Sequence, residues 1–430
     1  MKEVAAAGQA VQPISLEIQR WVREYLALRP LERTSQWRIP LSVPTYGWQE
    51  ICEAIDTLLS GQVTMGEKVK QFERLFAAYL GVRHAVMVNS GSSANLIALS
   101  LLSHPELANH LRAGDEVIVP AVPWSTTVFP VLQVGAIPVF VDVDLETFNI
   151  SIEEIEKAIT PRTRAVIVVH LLGRPVDMDA VLAVAQEHGL FVIEDACEAP
   201  GAMVHGRKVG TFGDVATFSF FFSHHISTIE GGLVVTNNDD FADLARSLRA
   251  HGWVREMIAR EAWAARCPDF DPRFLFVTAG YNFRPTEIQG AFGIHQMEKL
   301  EAYIEIRRAN AAYWRDHLSP YQDRLAIADE HAGGRHVWFS YPLRILPGAG
   351  FGRRELARAL EANGIETRPI MAGNMAAQPV MRLYGHRRVG ALSNAAEIGR
   401  NALLFGNHHG VTEEDRAYIV SCITSFLRHR

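Results

Sequence analysis

Thr217-Phe-Ser-Phe-Phe-Phe-Ser-His-His-Ile-Ser-Thr-Ile-Glu-Gly-Gly232 is the stretch around which the chain is organised. An apolar run of strand composition gives way to small hydroxyl residues, then two histidines, then an acid followed by paired glycines. A buried strand that delivers polar groups into a pocket has this order. Upstream, apolar runs recur: Ala85-Val-Met-Val-Asn, Glu116-Val-Ile-Val-Pro, Ile137-Pro-Val-Phe-Val-Asp, Ala165-Val-Ile-Val-Val-His and Leu190-Phe-Val-Ile-Glu-Asp. Helix-length segments separate them. Continuous apolar strands in this rhythm predict a mainly parallel sheet covered by helices on both faces. Ligands of such sheets sit beyond the carboxyl ends of the strands, and the candidate residues fall at those ends.

With 430 residues, 48% of them apolar, the chain can bury one or two substantial cores. Its formal charge of -6, spread without long runs, argues against nucleic-acid or membrane-surface partners. The start, Met1-Lys-Glu-Val-Ala-Ala-Ala-Gly, lacks the pattern of a signal peptide, and no apolar run approaches the ~20 residues of a membrane span. A cytoplasmic location is therefore expected. Cys52, Cys197, Cys267 and Cys422 lie far apart, with no C-x-x-C pair, and read as isolated thiols with no metal or iron–sulfur site.

Residues 1–45 read as an N-terminal extension in which Ile14, Ile18, Trp21, Val22 and Tyr25 recur at helical spacing behind Ser15, ending near Pro30. Packing on the body or on a second subunit is the expected role. Residues 46–295 hold the strand and helix alternation. Residues 296–430 switch to strand Trp338–Ile345, a helix closed by Gly364, and a last helix from Thr412, which predicts a smaller α/β domain. Within the larger part, Ser90-Gly-Ser-Ser-Ala-Asn is a small-residue turn between strand and helix. Such a turn offers unpaired N–H groups at a positive helix end, a seat for phosphate through Gly91, Ser92 and Ser93. Serine and glycine also cap many helices that bind nothing.

From Thr45 onward these motifs resemble the DegT/DnrJ/EryC1/StrS family of sugar aminotransferases, in which the central stretch reads F-S-F-x-x-x-K-N-L-x-x-x-E-G-G. Ala279-Gly-Tyr-Asn-Phe-Arg-Pro-Thr-Glu-Ile-Gln-Gly-Ala-Phe-Gly293 resembles a second signature. The resemblance implies the fold-type-I, aspartate aminotransferase-like α/β architecture and a pyridoxal phosphate (PLP) or pyridoxamine phosphate (PMP) cofactor. It implies that Asp195 pairs with the pyridinium nitrogen, keeping the ring an electron sink. It further implies that Trp124 stacks on the ring, Ser219 adds a hydroxyl to the phosphate seat, and Asn282 reaches the phosphate of a neighbouring subunit in a homodimer. Glu198, where the aminating members have Gln, is expected on the side of the cofactor's 3-hydroxyl.

The family's cofactor-binding lysine falls on His224. Imidazole cannot form the covalent link to the cofactor that a primary amine forms. None of Lys2, Lys68, Lys70, Lys157, Lys208 or Lys299 stands at the end of a central strand, so a non-covalently held cofactor is expected. Histidine can take a proton as imidazole and return it as imidazolium within one turnover. The sequence resembles the branch of the family with this replacement, which removes the 3-hydroxyl of a nucleotide-linked 4-keto-6-deoxyhexose in deoxysugar biosynthesis. Glutamate is the amino donor the resemblance implies. A related branch needs an external reductase and an iron–sulfur cluster; between His251 and Tyr281 this chain has only Cys267. A non-catalytic sugar or cofactor binding protein is the alternative from another class. Thr367-Arg-Pro-Ile-Met-Ala-Gly-Asn-Met375 and Phe405-Gly-Asn-His-His409 also resemble the dehydratase branch. Arg368, Asn374, Asn407 and His408 are accordingly candidates for sugar or phosphate contact, with a structural role fitting each as well, and His225 reads as packing or orienting.

Overall fold

The computed structural model describes residues 2–31, 36–330 and 333–430, with side chains from Ser15 onward. Seven strands form most of its large sheet: β1 (His84–Val88), β2 (Glu116–Pro120), β3 (Ile137–Val141), β4 (Thr163–Val169), β5 (Phe191–Asp195), β6 (Val215–Ser219) and β7 (Gly232–Thr236). Their order is β1-β7-β6-β5-β4-β2-β3, and the two-residue strand Arg387–Arg388 completes the eight at the β3 edge. Strands β2 to β6 run parallel, while β7 is antiparallel to both β6 and β1.

Both faces of this sheet are buried, which is why its strands read as continuous apolar runs. On β4, Ala165, Ile167 and Val169 enter one core and Val166 and Val168 the other. The helices follow: α1 (Lys2–Leu28), α2 (Trp48–Ser60), α3 (Glu67–Leu80), α4 (Gly91–Leu102), α5 (Ser125–Gln133) and, much later, the 32-residue α6 (Glu287–Leu318). Helices α4 and α5 cover the first face, and α3 and α6 the second. Phe76 meets Phe218 edge-on at 4.9 Å, and Phe72 meets Phe220 at 5.1 Å. Burial of each such ring contributes roughly 1.5–3 kcal/mol, so β6 is held firmly up to the residue that begins the central turn.

A second, antiparallel sheet of order β8-β9-β11-β10 comprises β8 (Leu325–Ile327), β9 (Ser340–Ile345), β10 (Thr367–Pro369) and β11 (Ala402–Gly406), with its own core around Trp314, Tyr341 and Phe405. Helix α6 opens on a capping box, Thr286 with Gln289, and supplies residues to the large-sheet core and this one. The chain before Thr45 is not a separate appendage. Ile39 bridges Ile365, and the Leu41 N–H donates to Glu366 Oε2 at 3.0 Å.

The sequence predicted a helix from Ser15; α1 begins earlier, at Lys2. Its inner face also differs from the predicted stripe. Ile18, Val22 and Leu26 are half-buried, whereas Trp21 and Tyr25 are exposed; Ile14 lies outside the residues whose side chains are described. Residues 18, 22 and 26 stand four apart and so share one face, and α1 lies against α2 with Arg23 over the Trp48 ring at 3.6 Å. No helix among the described residues is long and apolar enough to cross a membrane.

Candidate active site

The turn after β6 is closed at its base. The Phe220 N–H donates to the Gly231 carbonyl (2.9 Å), and the Thr228 N–H donates to the Phe220 carbonyl (3.0 Å). Within this loop the His224 N–H bonds the Phe221 carbonyl at 3.0 Å, which turns the chain sharply and sends the two histidines to different places. His225 is buried, with Nε2 2.8 Å from the Val337 carbonyl, and anchors the turn to the segment leading into β9. His224 lines a cavity of about 630 Å³ beyond the carboxyl ends of the parallel strands. Its ring lies 5.3 Å from that of Phe339 and 6.3 Å from that of Phe221, and its Nδ1 is buried with no partner among the described residues. Burial, then the charge of Arg307, push the imidazole down to about 4. It is therefore neutral at physiological pH.

Opposite, α4 presents its N-terminus. Ser90 is the cap, its Oγ accepting from the Ser93 N–H at 3.1 Å. Ser90, Gly91 and Ser92 line the cavity; Ser93 does not, since its hydroxyl is committed to Asn89 Oδ1 at 2.6 Å. Ser219 lies across from Gly232 in the sheet and also faces the cavity. Two glycines make this approach possible. A Cβ on Gly91 would lie 2.5 Å from the Ser219 Cβ, and one on Gly232 would lie 2.4 Å from the Ser90 carbonyl oxygen. The central Glu-Gly-Gly thus ends in a residue that must be small for β7 to pass the tip of α4.

Asp195 closes β5 at the cavity floor. Its Oδ2 accepts from Asn95 Nδ2 (3.0 Å) and Thr127 Oγ1 (2.7 Å), and its Oδ1 from the Cys197 N–H (3.3 Å). Asn95 is in turn fixed by the Thr217 hydroxyl, 2.6 Å from its Oδ1. Asn95 and Thr127 escaped the sequence reading. The one side-chain amide among the small and apolar residues of α4 was a usable signal for Asn95; Thr127 offered none. Three residues on, Glu198 accepts the Leu172 N–H on Oε2 at 2.7 Å. Burial, with Asp195 nearby, pushes its carboxyl up to about 8, so at neutral pH it carries a proton to donate. Trp124, just before α5, faces the same space and is 59% exposed. Its indole is a broad apolar plate, more than half of it open to the cavity side and solvent.

Of the remaining candidates, Arg368 lines the cavity and pairs with Glu366 at 2.8 Å. Asn374, Asn407, His408 and Asn282 are not brought to the cavity. Asn407 is fully buried and donates to the Arg307 and Trp338 carbonyls at 3.1 and 3.2 Å. His408 Nε2 lies 3.1 Å from the Pro40 carbonyl. Both therefore fasten the end of β11 to the chain around it. Asn374 opens a short helical turn, with its Oδ1 buried and without a partner among the described residues. Asn282 is exposed, bonded to Arg284 Nε at 3.0 Å. No lysine is among the described residues lining the cavity. Lys68, Lys157 and Lys299 pair with acids elsewhere, and Lys208 lies over the Tyr79 ring. The four cysteines are free, and no cluster of three or more His, Cys, Asp or Glu able to hold a metal occurs among the described residues.

These walls fit a phosphorylated pyridine. One end is the N-terminus of a twelve-residue helix edged by hydroxyls, suited to phosphate. Another presents a carboxylate oriented by three donors, suited to a protonated ring nitrogen. The same cavity is lined by the half-exposed indole of Trp124, suited to a flat ring. Residues 45–424 match the model of the DegT/DnrJ/EryC1/StrS aminotransferase family. The chain is 40% identical over 375 residues to the GDP-4-keto-6-deoxy-D-mannose 3-dehydratase of Yersinia pseudotuberculosis, covering 86% of this chain and 94% of that protein. It superposes on the Escherichia coli GDP-4-keto-6-deoxy-D-mannose 3-dehydratase with bound hydrated PLP with a TM-score of 0.83, at 36% identity, over 90% of this chain and 100% of that one. A GDP-4-keto-6-deoxymannose 3-dehydratase with a trapped PLP-glutamate geminal diamine gives the same TM-score, identity and coverage.

Proposed function

The chain belongs to the DegT/DnrJ/EryC1/StrS aminotransferase family, and from that premise we propose that it is a PLP/PMP-dependent 3-dehydratase of a nucleotide-linked 4-keto-6-deoxyhexose. The observation that carries this reading is the cavity wall itself: a neutral imidazole at the end of the central turn, with no lysine alongside it. When bound, the aminated cofactor supplies the nitrogen that holds the sugar's 4-keto carbon and the ring that takes up an electron pair. The α4 N-terminus with Ser90, Gly91 and Ser92 holds the phosphate, joined by Ser219. Asp195, braced by Asn95 and Thr127, keeps positive charge at the ring nitrogen. Trp124 covers the ring, and Glu198 donates its carboxyl proton into the cavity.

His224 does the proton work. As neutral imidazole it accepts a proton, and as imidazolium it returns that proton to the C3 hydroxyl, which leaves as water. Its low pKa makes the imidazolium a strong acid, so the return step is favoured. Arg368 contacts the sugar or its phosphates from the small-sheet side. Asn282, exposed and outside this cavity, reaches the phosphate in the other subunit of a homodimer. Glutamate, as in the trapped complex of the related dehydratase, is the amino donor, and the reaction takes place in the cytoplasm. We divide the chain into an N-terminal extension (1–45), a large part (46–295) and a smaller part (296–430), with the cut at 295 within α6 and the smaller part returning the strand Arg387–Arg388 to the large sheet.

Ammonia release is the decisive assay. Purified protein given PLP, glutamate and GDP-4-keto-6-deoxymannose should release ammonia and yield the 3-deoxy sugar. Turnover that appears only with an added reductase would replace this reading by a reductase-coupled one. Failure to bind PMP would leave a non-catalytic sugar-binding protein.

A further inference from the structure

Sealing a guanidinium in a protein interior costs several kcal/mol unless an acid offsets its charge. Arg307, on α6, is sealed in this way, at 2% exposure. Its Nη1 donates to the carbonyl oxygens of Phe339 (2.8 Å) and Asn407, and its Nε has no partner among the described residues. Burial alone pulls it down to about 9, with no acid acting to raise it. Its charge falls on His224, His225, His408 and His409, and disfavours protonation of each. The residue whose carbonyl it grips, Phe339, is also the one whose ring lies 5.3 Å from His224 and 6.0 Å from His225.

The other charged groups around His224 are distributed differently. Asp195, Glu198, Glu230 and Arg368 line other walls of the same cavity, and His225 adjoins it on its own turn. His336 lies near His225; Lys299, beside His409, is paired with Glu50 at 2.5 Å. Asp415 acts on His408. No acid among the described residues pairs with Arg307, and it is joined to the wall against His224 through the Phe339 carbonyl.

We propose that Arg307 is a positioning residue for the reaction: it fixes the Phe339 wall against which His224 rests and places an unpaired positive charge behind that imidazole, so that His224 meets its substrate neutral. The same charge disfavours the imidazolium once formed and so drives the proton onward to the departing hydroxyl. This rests on His224 being the acid–base group.

The test reads His224 itself. Because His224 lines the cavity, diethyl pyrocarbonate reaches it, and the reagent attacks only neutral imidazole. The pH dependence of modification at His224, followed by peptide mass spectrometry on cofactor-free protein, gives its midpoint. Arg307→Lys keeps the charge, whereas Arg307→Gln keeps a donor for the two carbonyls and removes it. Wild type and Arg307→Lys should titrate well below pH 6, and Arg307→Gln about one pH unit higher, a tenfold change in proton affinity. Coincident titrations of wild type and Arg307→Gln would overturn the proposal. If Arg307→Gln does not fold, Arg307→Met, which removes the charge and leaves no buried donor, replaces it with the same two outcomes: a midpoint about one pH unit above wild type supports the proposal and a coincident one overturns it. An active His224→Asn enzyme with the Arg307→Gln shift intact would instead count against the assignment of His224.

Discussion

Gly91→Ala measures how tightly the proposed phosphate seat is built. The new Cβ would sit 2.5 Å from the Ser219 Cβ and 2.8 Å from its hydroxyl oxygen. Ordinary contact begins about 0.9 Å farther out than the first of these. The clash meets no flexible side-chain end that could swing away: Ser219 is in β6, held by its pairing with Gly232, and Gly91 is the first residue of α4. Either α4 or β6 must move by most of that distance. Overpacking of this kind costs typically about 1–3 kcal/mol, and the motion also pulls Ser92 away from Ser219 on the cavity rim. Urea denaturation should show the stability loss, and PLP titration followed by tryptophan fluorescence should show at least tenfold weaker binding. Ser219→Gly removes the two nearest struck atoms, at about 0.5–1 kcal/mol of strand stability, and leaves only the residue 219 Cα, 3.2 Å from the new Cβ. In that background Gly91→Ala should cost clearly less, a coupling of about 1 kcal/mol or more in a double-mutant cycle. The reasoning is refuted if Gly91→Ala leaves stability and PLP affinity unchanged, or if its cost is the same with and without the Ser219 side chain.

Further expectations concern the acid and base groups and their supports. His224→Lys should give a yellow, covalently bound cofactor, read by visible absorbance and borohydride trapping, and should abolish dehydration; a colourless protein, or one still dehydrating, contradicts the assigned position of His224. Asn95→Ala removes one of the two side-chain donors on Asp195 Oδ2, which costs roughly 1–3 kcal/mol; calorimetric PLP titration should register tenfold or greater weakening with little change in fold. Glu198, pushed up to about 8, holds more protons folded than unfolded, so its contribution to stability is complete below its ordinary carboxyl value and fades as pH rises toward 8. Glu198→Gln should flatten this alkaline decline in denaturation midpoint and the matching loss of PLP affinity, and parallel pH profiles for the two proteins would count against a protonated Glu198. Phe220→Ala, which empties a fully buried site beneath the turn, should cost about 3–5 kcal/mol by urea denaturation.

The large sheet could be read from the chain because both its faces are buried: uninterrupted runs such as Ala165–Val169 are written into the composition itself. The strand-end position of Asp195 and the seat before α4 followed from element boundaries, and the imidazole at position 224 from a motif whose spacing is local. Helix faces were less legible. Of the stripe predicted through Ile18, Trp21, Val22 and Tyr25, Ile18 and Val22 do turn inward, joined by Leu26, whereas Trp21 and Tyr25 stay exposed because of where α2 lies. What only the tertiary structure decided is contact between residues distant in the chain. Asn95 and Thr127 meet Asp195 across separations of 100 and 68 residues, Asn407 and His408 are drawn into the interior by backbone carbonyls from other elements, and Arg307 comes to rest behind the wall that bears His224. Periodicity and turn chemistry are local properties, carried by neighbours along the chain. Partner choice and electrostatic environment arise from packing among elements, and no local pattern encodes them.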